Sequence, residues 1–131
     1  MGAWGYKNFE NDDALDFLYE VEENNKLAEE IIDKVSNLKS TDYLDSQTAS
    51  QALAAIELFA AKKGTPSGDF GFSETKIKLE TLPFSPVVLE KSKMVISRIS
   101  SNSELRELMN EGGNEKEFTD VLNDLNKRIE I

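Results

Sequence analysis

Apolar residues recur at helical spacing along most of the chain. Ala14, Phe17, Leu18 and Val21 fall three and four apart and predict a first helix. Asn11 or Asp12 suits its N-cap, and Asp12, Asp13 and Asp16 favour the positive end of its dipole. Asn24 and Asn25 then interrupt the stripe. A second phase runs through Leu27, Ile31, Val35 and Leu38 with Ile32 beside it, so two helices are expected with a break near residues 22–25. Asp45 or Ser46 is expected to cap a third helix, striped by Ala49, Ala52, Leu53, Ile56, Phe59 and Ala60 and stopped at Gly64. Its many alanines suggest close helix approach in the middle of the fold.

Periodicity is weakest at 65–86. Thr65 to Gly68 and Gly71 mark a loop, and Pro83 and Pro86 bracket another. Between them Thr75 to Glu80 alternates like a short strand, but a lone strand is poorly stabilised, so an irregular segment laid over the helices is expected. Pro86 then starts a helix with Val88, Leu89, Val95, Ile96 and Ile99 inward. Ser101 and Glu104 form a capping-box pattern for a short helix with Leu105, Leu108 and Met109 inward, ended by Gly112 and Gly113. Asn114 and Glu117 repeat the pattern before a last stripe of Phe118, Val121, Leu122, Leu125 and Ile129. Lys127 and Arg128 near its end complement the helix dipole. The expectation is one all-α domain over residues 1–131, a compact bundle of about five to six short helices. Leu53, Ile56, Leu122 and Leu125 should be buried, and Trp4 and Phe9 should clasp the start of the first helix.

Composition narrows the chemistry more than the fold. Hydrophobic residues are 39% and charged residues 31%, enough for a modest core in a soluble chain. With neither His nor Cys, there are no disulfides, thiolate or imidazole metal ligands, thiol nucleophiles or imidazole bases. The formal net charge of −10 disfavours nucleic-acid binding, which depends on clustered Lys and Arg. Residues 1–50 hold 12 acidic against 4 basic residues, and residues 51–131 hold 13 against 11. The acidic field therefore belongs to the first two helices and their flanks.

No calcium-loop, phosphate-loop or di-iron pattern is present, so no metal and no cofactor is expected. Two carboxylates can in principle perform hydrolysis, but nothing in the sequence directs a pair to a cleft, and no catalytic residue is assigned. The opening MGAWGYKNFENDD lacks the basic start and apolar run of a secretory signal, and Tyr6 stands where N-myristoylation needs Ser or Thr. No apolar run approaches about 18 residues, so no membrane association is expected and the cytoplasm is the expected compartment.

Two features point to contact with another protein. Asp12, Asp13, Asp16, Glu20, Glu22 and Glu23 crowd the first helix, and Trp4 and Tyr6 precede it as aromatic anchors. The same carboxylates could be a solvated helix face, and the same aromatics a hydrophobic clasp.

The opening Met1 to Phe17, with Met-Gly-x-Trp-Gly followed by Phe9, Asn11, Asp12 and Ala14, resembles the bacterial DUF4259 family, a domain of unknown function. The resemblance continues through Tyr43-Leu44, the run Ala52 to Glu57, Asn102 to Leu108 and the helix after Gly113, so it spans nearly the whole chain. Family members commonly carry Trp at the positions of Met109 and Phe118. What the resemblance implies is a small helical fold, and it carries over no activity, substrate or catalytic residue. The functional expectation is a small acidic, non-enzymatic protein-binding domain, an immunity-like or antitoxin-like inhibitor of a basic effector protein. The alternatives are a housekeeping adaptor whose acidity confers solubility, and a small-ligand or hydrolytic domain using carboxylates.

Overall fold

The computed structural model describes residues 8, 11–65, 79–82 and 84–130, and among these the protein is all-α. Helix α1 spans Asp12–Glu23, α2 Leu27–Ser36, α3 Ser46–Lys63, α4 Pro86–Ser101, α5 Glu104–Glu111 and α6 Glu115–Arg128. A 3-10 turn, Leu79–Thr81, precedes α4. The strand-like residues Thr75 to Lys78 and the aromatics Trp4, Tyr6 and Phe9 lie outside the described residues.

The first helix starts where its sequence asks. Asn11 is extended, and its side-chain oxygen accepts from the Ala14 N–H at 2.8 Å, satisfying one of the free donors of the first turn. Asn11→Ala is expected to lower stability by about 0.5–2 kcal/mol, read as a shifted denaturation midpoint with unchanged m. The break before α2 is built from the two asparagines. Asn24 ends α1 and accepts from the Lys26 N–H, while Asn25 donates to the carbonyl and hydroxyl oxygens of Thr81. A polar pair that interrupts the apolar stripe thus also ties the 79–82 turn to the α1–α2 corner.

Helix α3 is the axis of the fold, and it packs against each of the other five helices. Asp45 caps it by accepting from the Thr48 N–H at 3.1 Å, and Gly64 closes it at φ +105°, in the left-handed region that a side chain strains. The stripe expected from sequence was too narrow. Every residue from Ala52 to Ala61 is buried, including Ala54, Ala55, Leu58 and Glu57. A helix surrounded on all sides has no solvent face to keep polar, and its alanines let neighbouring backbones approach closely. Leu53, Ile56, Leu122 and Leu125 are all buried, as expected.

Ser85 caps α4 with Pro86 in the first turn. The two capping boxes expected further on do not form. Ser101 lies in the last turn of α4, and its hydroxyl bonds back to the Ser97 carbonyl. Ser103 instead caps α5, accepting from the Arg106 N–H at 3.1 Å while donating to the Ile99 carbonyl at 2.7 Å. Glu104 is thereby freed to reach α3. Asn114 precedes α6, but its side chain makes no capping bond. Gly113, at φ +77°, completes the α5–α6 turn. Leu108 and Val121 are half-buried rather than core residues, while Met109 and Phe118 are buried.

The long connection before α3 is held by the C-terminal end of α4. The Arg98 guanidinium donates to the carbonyls of Lys39, Asp42 and Asn102, and the Asn102 amide donates to the Ser40 carbonyl. These bonds satisfy loop carbonyls that lack helical partners and fix the approach of the chain to Asp45.

Candidate functional site

Burial of one face of α1 decides what its other face presents. Ala14, Phe17, Leu18 and Val21 turn inward, with Leu15 packed at the edge of the core. At 100° per residue the opposite side carries Asp12, Asp16, Tyr19, Glu20 and Glu23, all exposed. Asp13 and Glu22 are half-buried and flank this face rather than crown it. Among the described residues, no cation pairs with Asp12, Asp16, Glu20 or Glu23.

Tyr19 is 66% exposed in the middle of these carboxylates. The aromatic anchors expected from the sequence, Trp4 and Tyr6, lie outside the described residues, and the structure adds Tyr19, which was not among them. The signal was available: Tyr19 is seven residues after Asp12 and three after Asp16, out of phase with the buried stripe.

A second carboxylate cluster joins α3 to α5. The Glu104 carboxylate accepts from the Ser46 N–H at 2.7 Å. That bond comes first among the causes that hold Glu104 below the usual carboxylate range, followed by the hydrogen bond from Tyr43. The Glu104 carboxylate in turn raises the Tyr43 phenol to about 12. Asp45 beside it is pushed up by burial, but the bonds it accepts from Thr48 outweigh this and leave it below its ordinary value. The cluster behaves as a helix-start clamp: each carboxylate is ionised and occupied by N–H donors.

A third carboxylate, Glu57, is 2% exposed at the centre of α3. It accepts two bonds from the Arg128 guanidinium, at 2.6 and 2.9 Å, and one from the Asn8 amide at 2.8 Å. Arg128 also donates to Asp124 at 2.9 Å, and the hydrogen bond to Glu57 is the first cause that raises its pKa. This pair was not foreseen. Glu57 lies four residues after Leu53, in the phase of the buried stripe, and a charge in that phase requires a counter-charge.

Groups of three or more Asp or Glu placed to hold a metal ion are absent among the described residues. A shallow depression at the start of α6 is lined by Glu115, Lys116, Glu117 and Asp120, and is open to solvent. The face that stands out is therefore that of α1, an aromatic ring set among carboxylates that no cation of the described residues pairs with.

The family model described as Domain of unknown function (DUF4259) matches residues 2–120. The chain belongs to the DUF4259 family. No curated protein and no solved structure matches it. The DUF4259 match takes in α1 with its acidic face, Asn8 and Glu57, and ends in α6 before Asp124 and Arg128. The family description names no activity or partner, so residue roles in this DUF4259 chain rest on geometry alone.

Proposed function

We propose that this protein is a small, acidic, non-enzymatic protein-binding domain that acts in the cytoplasm. In this reading it captures a basic protein partner on the outer face of α1, in the manner of an immunity or antitoxin protein masking a cationic effector. The observation that carries it is Tyr19, exposed at 66% and surrounded by Asp12, Asp16, Glu20 and Glu23. An exposed aromatic ring supplies area for a lasting contact at little entropic cost, and the carboxylates around it speed encounter with a cation-rich surface. The net charge of −10 extends that attraction beyond the contact.

Retention of basic proteins from native cytoplasm on the immobilised domain, at low and high salt, tests the reading. With the retained protein purified, Asp16→Lys, Glu20→Lys and Glu23→Lys together are expected to slow association about tenfold or more at low salt. Tyr19→Ala should instead shorten the lifetime of the complex, with a loss of about 2 kcal/mol. The folded state should tolerate all four changes, since exposed charges contribute little to stability and the Asp12 first turn is left intact. Retention of no basic protein, or binding indifferent to the charge reversals, would sink the proposal and leave the charge as a solubilising coat.

A further inference from the structure

Distant parts of the chain meet on one buried carboxylate. Glu57 accepts from Arg128 Nη1 at 2.6 Å through Oε1, and through Oε2 from both Arg128 Nη2 at 2.9 Å and Asn8 Nδ2 at 2.8 Å. Asn8 is 5% exposed, and its Oδ1 has no hydrogen-bond partner among the described residues, where the bond to Glu57 is what orients this amide. Arg128 closes back on the end of α3, donating to the Thr65 carbonyl at 3.3 Å, while the Thr65 hydroxyl reaches the Arg128 carbonyl at 2.7 Å. The carboxylate is thus shared between the chain just before α1 and the last turn of α6.

We propose that Glu57 is a charge latch that makes the seating of Asn8, and of the α1 cap three residues on, conditional on α6 being docked. A lone carboxylate in the interior is strongly disfavoured. Without the guanidinium, the Glu57 carboxylate turns toward water to stay solvated, and that movement removes the acceptor that holds Asn8. With Arg128 in place the charge is compensated and stays where Asn8 can reach it. The coupling is reciprocal: whatever loosens Asn8 also weakens the hold on the last turn of α6. It concerns the two ends of the fold and stands whether or not α1 binds a partner.

Amide hydrogen exchange on the full chain tests the latch. In Arg128→Met, exchange at residues 11–15 should accelerate on the order of tenfold beyond the change in α2, a coupling of ordinary size. Glu57→Gln combined with Arg128→Met should restore that protection, because an uncharged amide accepts from Asn8 without a counter-charge. Asn8→Ala, which leaves the ion pair intact, should accelerate exchange at residues 125–130 by a similar factor. Val95→Ala, which lowers global stability from α4, should show no excess at residues 11–15. The latch is overturned by loss at 11–15 no greater than in Val95→Ala, by failure of the double variant to recover, or by unchanged exchange at 125–130 in Asn8→Ala. If Arg128→Met does not fold, Asn8→Ala decides alone.

Discussion

Arg128→Met is expected to destabilise the protein by about 3–5 kcal/mol, because it strands the Glu57 charge in the middle of α3. The Glu57 side chain is 3% exposed and that of Arg128 is 15% exposed, so the carboxylate has the poorer access to water. That difference makes the two single changes unequal. Glu57→Gln leaves Arg128 paired with Asp124 and bonded to the Thr65 carbonyl, and the new amide oxygen still accepts from the guanidinium. Its cost should be about 1–3 kcal/mol, the scale of hydrogen bonds to charged groups. Urea denaturation of both variants reads the difference directly. Equal losses, or a smaller loss for Arg128→Met, would mean that Glu57 is rehydrated easily and that the pair is not a buried charge in the energetic sense.

Phe59→Ala should lower stability by a comparable amount, about 3–5 kcal/mol. Phe59 is fully buried on a helix that packs against every other helix of the fold. The space left by its ring is therefore bounded by several elements at once, and no single helix can shift to fill it without losing contacts elsewhere. Leu108→Ala provides the contrast: Leu108 is half-buried on the short helix α5, where water can replace part of the lost side chain. Its loss should be clearly smaller. A near-neutral Phe59→Ala would show that α3 is less enclosed than its burial indicates.

The outer helices were legible because each has one wet face. In α1, polar Asp12, Asp16 and Glu20 alternate with apolar Ala14, Phe17, Leu18 and Val21, and the resulting phase assigns the buried side by itself. Asn11, Asp45 and Gly64 were readable for a similar reason, since a cap is a local bargain between one side chain and the backbone of the next turn. The capping boxes misled where several candidates stood close together. Ser101, Ser103 and Glu104 all suit a helix start, and only the extended backbone at Ser103 selects it. Glu104 bonds the Ser46 N–H, 58 residues away, so its place cannot be read from its neighbours.

By itself, the sequence determined the helical class, the breaks at Asn24, Gly64 and Gly112, the acidity of the first two helices, and the membership in DUF4259. All of these depend on residue type and on spacing within about a turn or two, distances over which the chain is its own environment. Tertiary structure alone decided that α3 is enclosed on all sides, that Tyr19 crowns the acidic face, and that Asn8, Glu57 and Arg128 share one bond network. Asn8 and Glu57 are 49 residues apart, and Glu57 and Arg128 are 71 apart. Their pairing follows from how the described helices pack, and the charge of Glu57 becomes consequential only once that packing has excluded water from it.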